Sequence, residues 1–194
     1  MDETKNEVAI QSTELPVQKS KHMLEYEETL RIGKGYSMSG IVPSAYANKP
    51  FDCAIAVDMA NRLGVPPLMV MQQLFVVKGK PVWSGQACMT FIRNRFDDVD
   101  VVYTGERGTD TYGCYISAVD GDKKIQGTEI TIAMAKAEGW MQNTKWRNMP
   151  QQMLAYRAAS FFARVYCPNI LMGCQVEGEV EDCEPQRRKA VDVL

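Results

Sequence analysis

The spacing of apolar and polar residues predicts a chain that alternates helices with short strands. Helical periodicity or helix-forming composition predicts six helices, over 22–31, 52–63, 67–73, 85–94, 133–139 and 150–166. Gly33 and Gly35 are expected to end the first helix, and Asp52 and Gly64 to cap the second. The last segment opens on Pro150 and carries the clearest apolar stripe, as an amphipathic helix packed on a core should.

Runs rich in β-branched and aromatic residues predict five strands, at 74–77, 82–84, 99–104, 112–120 and 124–132. The first two flank the sequence Lys78–Pro81, which is typical of a hairpin turn. Residues 33–50 place glycine and proline among small residues, so we expect a loop there with one extended piece at Ile41–Val42. Together the runs predict an antiparallel sheet of about five strands packed with helices, and therefore an α+β fold.

Length and composition favour one globular domain. The chain has 194 residues, 45% of them hydrophobic, and no apolar run approaches the roughly 20 residues of a membrane span. The polar, acidic N-terminus does not resemble a secretory signal, so we expect a reducing cytoplasm and no membrane partner. The six cysteines contain no CxxC pair and are expected to be free thiols, with Cys53, Cys88 and Cys114 as small core residues. His22 is the only histidine, which leaves little room for histidine-based catalysis.

Charge is segregated along the sequence, although the formal net charge is only -2. Taken alone, that near-neutral total argues against a nucleic-acid binder. The charges amount to -4 over 1–30, +5 over 123–174 and -3 over 175–194. We therefore divide the chain into an acidic N-terminal segment (1–30), partly flexible and a candidate for subunit contacts, a core (31–174) and an acidic tail (175–194). A protein with such a basic block can bind a polyanion locally.

Two arginines in the last predicted helix are candidates for contact with phosphates. Arg157 and Arg164 are seven residues apart, close to two helical turns, so both project along one stripe. One interpretation is a groove wall whose guanidinium groups bind phosphates, with aromatic rings stacked on bases or packed beneath. The other is ordinary surface arginine, paired with the acidic tail. Further candidates are Lys136, Lys145, Trp146, Arg147, Tyr156 and Phe161, and Lys78 and Lys80 form a second cluster on the hairpin turn.

Two stretches of the sequence resemble the RecT/Red beta family of phage single-strand annealing proteins. The first, MANRLGVPPLMVMQQLFVVKGKPVWSGQACMTFI from Met59 to Ile92, is similar to the family's helix, proline-containing turn, short helix, hairpin and following helix. The second, KWRNMPQQMLAYRAASFFARVYCPNILMG from Lys145 to Gly173, is similar to the family's tryptophan-then-helix segment. The resemblance covers roughly residues 50–175 and implies a small twisted antiparallel sheet with packed helices, the annealing core of that family.

The resemblance also implies an activity. Such proteins bind single-stranded DNA without ATP as rings or helical filaments, hold it with the bases exposed, and anneal it to a complementary strand during homologous recombination. Arg157 and Arg164 match the family's basic groove positions, and Lys145, Trp146 and Arg147 match the adjacent segment that closes over DNA. The hairpin lysines match more loosely. The implied partners are single-stranded DNA, the annealed duplex and further copies of the chain, in the cytoplasm of a bacterial host.

Other partners and chemistries are weaker expectations. Relatives with an additional C-terminal domain use it to contact an exonuclease or the host single-strand binding protein, whereas about twenty acidic-rich residues follow the core in this sequence. The sequence lacks GxxxxGK[ST], HExxH and GxSxG motifs, so we expect no enzymatic activity and no cofactor, with Mg²⁺ compatible but not indicated. Two alternatives stay open. One is a phage protein of this fold that binds or inhibits a host protein. The other is an enzyme with a metal on Asp97, Asp98 and Asp100, although such a run is much more typical of a solvated turn.

Overall fold

The structure, a computed structural model, describes residues 20–177 and confirms the α+β class. Its helices are α1 (Lys21–Ser37), α2 (Pro50–Leu63), α3 (Pro67–Gln73), α4 (Gly85–Arg95), α5 (Ile132–Ala137), α6 (Lys145–Asn148), α7 (Pro150–Tyr166) and α8 (Pro168–Leu171), with a 3-10 turn at Trp140–Gln142. Its strands are β1 (Leu74–Val77), β2 (Lys80–Trp83), β3 (Asp97–Thr104), β4 (Gly113–Asp120), β5 (Lys123–Gln126), β6 (Ile130–Thr131) and β7 (Gln175–Val176). The predictions for residues 1–19 and 178–194 lie outside this range. Between residues 20 and 177, no helix has both the length and the apolar character needed to cross a bilayer.

The described strands form two small sheets, so the single five-stranded sheet predicted from the sequence is wrong. In the first sheet, β2 lies between its antiparallel hairpin partner β1 and the short strand β7, which runs parallel to it. In the second, β4 pairs antiparallel with β3, β5 and β6. The predicted strand over 124–132 is divided at Gly127, where a Cβ would lie 2.8 Å from the Phe162 ring of α7. The packing of α7 on this sheet therefore interrupts the strand.

Helix α1 continues six residues beyond the predicted end at Arg31. Gly33 lies inside the helix and against the start of α2, where a Cβ would come within 2.6 Å of the Ala54 backbone nitrogen and 2.8 Å of the Pro50 oxygen. Only glycine allows two helix backbones to approach this closely without displacement. The prediction that Gly33 ends the helix is wrong because the residue serves close packing between α1 and α2.

Apart from the end of α1, the predicted helix and hairpin ends follow the turn chemistry of the sequence, with Asp52 as the exception. Gly64 caps α2 in the left-handed conformation, with φ of 65°, as predicted. Asp52, the predicted N-cap, lies instead in the first turn, because α2 begins at Pro50, a residue favoured at the first helical position. The hairpin turn has positive φ at Lys78 (51°) and Gly79 (77°), as in type I′ turns, whose twist matches the flanking strands.

Helix α7 is the central element of the core and spans the predicted residues 150–166. It packs against α4 and β4, and its Leu154, Ala158 and Phe162 are fully buried. The predicted core cysteines are confirmed, since Cys53, Cys88 and Cys114 are completely buried and the five described cysteines are free thiols. Burial raises the pKa of the Cys114 thiol to about 12, so this side chain is a neutral packing group at physiological pH.

Candidate nucleic-acid interface

The two candidate arginines of α7 lie on one face of the helix but in different surroundings. Seven residues correspond to about two turns, so Arg157 and Arg164 project from the same side. Arg157 is only 6% exposed, and its guanidinium carbon lies 4.0 Å from the centre of the Trp140 ring and 5.8 Å from that of Phe161. Arg164 is exposed, in the last turn of the helix. Within the predicted stripe, Arg157 is therefore covered by other side chains, whereas Arg164 is exposed to solvent.

The cover over Arg157 comes from the segment that precedes α7. Trp140, in the 3-10 turn, has its ring centre 5.4 Å from that of Trp146 in α6 and 6.3 Å from that of Phe161. Trp140 and Trp146 are 8% and 4% exposed. A guanidinium inside such a cluster is attracted to the ring faces and excluded from water. Trp146, a predicted DNA-binding residue, is thus part of the core in this structure.

The two aromatic candidates on α7 are half-buried. Tyr156 packs against the start of α4, where a Cβ on Gly85 would lie 2.7 Å from the Tyr156 Cβ. Its hydroxyl accepts a hydrogen bond of 2.7 Å from Gln152 Nε2. Phe161 takes part in the cluster around Trp140. Both rings therefore have protein neighbours, and base stacking by either one stays a prediction.

Three exposed cations precede α7 on the surface. Lys145 Nζ lies 3.9 Å from Glu177 Oε1, and Lys136 forms an ion pair with Asp110. Arg147 forms no ion pair with any residue between 20 and 177. Exposed ion pairs of this kind contribute only about 0–1 kcal/mol. A phosphate group can consequently compete with the carboxylates for these side chains.

The turn between β4 and β5 adds two cations that were part of the basic block but not of the predicted site. The Tyr166 hydroxyl donates a hydrogen bond of 3.1 Å to the Gln126 carbonyl, which joins β5 to the C-terminal end of α7. Lys123 and Lys124 open that strand and are exposed. These three exposed cations therefore lie on two elements, α7 and β5, that this hydrogen bond joins. We call Lys123, Lys124 and Arg164 the basic end of α7.

Lys78 and Lys80 lie at the exposed tip of the β1–β2 hairpin. Strand β2 leads from this tip to Trp83, whose indole nitrogen donates a hydrogen bond of 3.2 Å to the Leu171 carbonyl. Three residues of extended strand span about 10 Å, so the tip stands away from the base of the hairpin, where α7 and α8 pack. The hairpin lysines therefore form a separate cluster, as predicted from their position in the sequence.

No signal in the sequence reveals the part played by Trp140. It is separated from Arg157 by seventeen positions and lies in another element, so no helical or strand period connects the two. Only the packing of the preceding segment on α7 brings them into contact.

The acidic run Asp97, Asp98 and Asp100 lies at the start of β3 and does not form a metal-binding cluster with other described residues. Asp98 has φ of 44° and lies where the β3–β4 register shifts between Asp97 and Asp100. Within residues 20–177, no group of three or more histidine, cysteine or acidic side chains is placed to hold a metal ion. In the described part of the chain, this run is an irregular strand start.

Comparison of the chain with protein-family models, with curated proteins and with solved structures finds no match. The candidate interface is therefore interpreted from its own residues and from the resemblance of the two sequence stretches.

Proposed function

We propose that this protein binds single-stranded DNA and anneals it to a complementary strand without ATP, as a homo-oligomer in phage homologous recombination. The proposal rests chiefly on the basic end of α7, three exposed cations carried by two elements that the Tyr166–Gln126 hydrogen bond joins. Arginine and lysine side chains neutralise phosphates without reading bases, which is what annealing of any sequence requires. A core similar to that of RecT and Red beta is part of the proposal.

The arrangement of the two sequence stretches that resemble the RecT/Red beta family supports this proposal. Helix α4, at the end of the first stretch, packs against α7 of the second. Tyr156 lies against Gly85, and the Trp83 side chain donates to the Leu171 carbonyl. The features that carry the resemblance are thus assembled into one packed unit, and the basic end of α7 lies on it.

The charge of the described region agrees with a polyanion partner. Residues 20–177 contain seventeen basic and fifteen acidic side chains, a net charge of +2, whereas the complete chain has -2. The acidic excess therefore comes from the ends of the sequence. A monomer with so small a positive charge binds DNA weakly, and several copies along one strand multiply the contacts.

An exposed apolar surface supports self-association. Among residues 20–177, eight of the fifteen exposed large hydrophobic residues fall between Met23 and Ile55, in α1, α2 and the loop that joins them. On α2, Phe51 and Ile55 are 67% and 60% exposed and lie one turn apart on the same face. Exposed apolar residues concentrated in one part of a chain are typical of protein–protein contacts. We infer that this region contacts neighbouring copies of the chain.

The proposal is tested by mixing the protein with a labelled oligonucleotide, adding its complement without ATP, and following pairing at increasing salt. We expect accelerated pairing that fades as salt rises, because phosphate binding releases counterions. The double variant Lys123→Gln/Arg164→Gln removes two of the three cations of the basic end of α7 and should bind more weakly, and its salt dependence should fall by about 0.7 for each phosphate that is no longer neutralised. The matched control Arg93→Gln/Arg107→Gln removes the same charge from exposed positions elsewhere and should behave as the wild type.

Absence of single-strand binding by the wild type at low salt would contradict the proposal and favour a protein that binds a host protein instead. Equal losses of affinity in Lys123→Gln/Arg164→Gln and in the control variant would assign the effect to net charge and not to the basic end of α7.

A further inference from the structure

A cleft of about 430 Å³ lies between the C-terminal ends of α2 and α4 and the short helix α8. Its apolar lining consists of buried or half-buried side chains: Leu63, Phe91, Ile170 and Met172. Its polar lining consists of exposed side chains: Arg62, Asn94, Arg95 and Asn169. The cleft thus has an apolar floor and a rim of two guanidinium and two amide groups.

Both guanidinium groups are held in position by carboxylates. Arg62 Nε donates to Asp58 Oδ2 at 2.8 Å, one turn earlier on α2. Arg95 donates from both terminal nitrogens to the two oxygens of Asp120, at 3.1 and 3.4 Å. The arginine side chains nevertheless remain 65% and 50% exposed. They are therefore open to a further anion, because exposed ion pairs are weak and a phosphate can compete with the carboxylates for the guanidinium groups.

The amides of the rim have unused hydrogen-bonding capacity. The side chains of Asn94 and Asn169 form no hydrogen bond with any group between residues 20 and 177. An asparagine side chain both donates and accepts, so it can pair with the polar edge of a nucleobase. The volume lies within the range of pockets that bind small organic ligands.

We propose that this cleft holds one nucleotide of single-stranded DNA, with the base on the apolar floor and its phosphate between Arg62 and Arg95. The inference rests on the proposed function and adds a site to it. The apolar floor suits the face of a base, and the guanidinium forks match phosphate oxygens. A carboxylate from a second copy of the chain would use the arginines but leave the floor empty.

The position of the cleft agrees with a strand that continues onto the basic end of α7. Asp120, which holds Arg95, is the last residue of β4 and precedes the turn to Lys123 and Lys124. The pairing of Asp120 with Lys123 places both at the same end of the sheet. A DNA strand leaving the cleft past Arg95 therefore reaches Lys123 and Lys124, at an end of the sheet that also carries the carboxylates of Asp97 and Asp122.

The test uses the full chain, a thymidine oligonucleotide and an abasic oligonucleotide of equal length. In the variant Arg62→Gln/Arg95→Gln we expect about tenfold weaker binding and a salt dependence reduced by about 0.7, because the one phosphate between the two arginines is no longer neutralised. The control Arg93→Gln/Arg107→Gln removes the same charge from exposed positions outside the cleft and should retain wild-type affinity. In protein with ¹³C-labelled methionine methyl groups, the thymidine oligonucleotide should shift the Met172 signal more than the abasic one.

Four outcomes would overturn the inference. If the wild type binds DNA and the cleft variant binds as tightly as the control, the cleft does not contact DNA, while the proposed function survives. Equal Met172 shifts with both oligonucleotides would show that no base enters. A changed oligomer size of the cleft variant without DNA would assign the cleft to a second copy. Absence of DNA binding by the wild type would contradict both the proposed function and the nucleotide site proposed in the cleft.

Discussion

Replacement of Arg157 by alanine should destabilise the protein much more than replacement of Arg164, although both lie on the same face of α7. The Arg157 guanidinium carbon lies 4.0 Å from the centre of the Trp140 ring, and the residue is 6% exposed. A desolvated cation–π contact contributes about 2 kcal/mol, and each buried methylene of the side chain about 0.8 kcal/mol. Removal of the stack and two methylenes should therefore lower the free energy of unfolding by about 3.5 kcal/mol.

Urea denaturation followed by tryptophan fluorescence and by circular dichroism measures this effect. Arg164→Ala is the matched control, and it should change the free energy of unfolding by less than about 0.5 kcal/mol because the side chain is exposed. Arg157→Lys keeps the charge and the stem but not the planar group, so an intermediate loss of about 1–2 kcal/mol is expected. If Arg157→Ala costs no more than Arg164→Ala, the buried stack does not exist in solution. DNA-binding measurements on Arg157 variants must accordingly be made where each variant is fully folded.

Three further predictions concern packing, ionisation and assembly. Gly33→Ala should lower the free energy of unfolding by about 1–3 kcal/mol, because the added Cβ would meet the α2 backbone. Gly35→Ala has nothing within 4 Å of its Cβ and should stabilise the same helix by about 0.5–1 kcal/mol. Equal changes in melting temperature for the two variants would refute the close approach of α1 and α2. Burial raises the pKa of Tyr46 from its ordinary 10.0 to about 12, so its contribution to stability is intact below pH 10 and falls by about 2–3 kcal/mol towards pH 12. Buried thiols such as Cys114 lose stability in the same range, so urea denaturation should show a fall about 2–3 kcal/mol larger in the wild type than in Tyr46→Phe. Phe51→Glu should give smaller particles in sedimentation velocity, and Val165→Glu, at similar exposure on α7, should not; unchanged particles in the first variant would contradict a contact through α2.

The elements that the sequence predicted well are those with strong local signals. Helix α7 spans the predicted residues because proline begins it, a long apolar stripe runs through it and Pro168 follows it. The β1–β2 hairpin and the Gly64 cap were predicted from turn chemistry that acts over a few residues. In these cases the local preference and the tertiary packing agree.

The features that the sequence did not predict depend on distant residues. Glycine is typical of helix ends, and only the approach of α2 to α1 shows that Gly33 instead allows the two helices to pack closely. The parallel pairing of β7 with β2 joins residues in separate halves of the chain, and two residues carry no detectable strand period. Arg157 and Arg164 are the same residue type on the same helical stripe, so the sequence does not distinguish them. Of the two, Arg157 is buried, because Trp140 covers its guanidinium group. A helical period places two side chains on one face but does not reveal what covers that face.

The parallel strand β7 also has a consequence for the order in which the protein folds. Val82 pairs with Gln175, about ninety residues later in the sequence. During synthesis, the β1–β2 hairpin therefore emerges from the ribosome long before its third strand exists, and an isolated two-stranded hairpin is marginally stable in water. Completion of that sheet must wait until α7 and α8 have been made. We expect contacts of such long sequence separation to be among the last to form, so the pairing of β7 with the hairpin should be one of the final steps of folding.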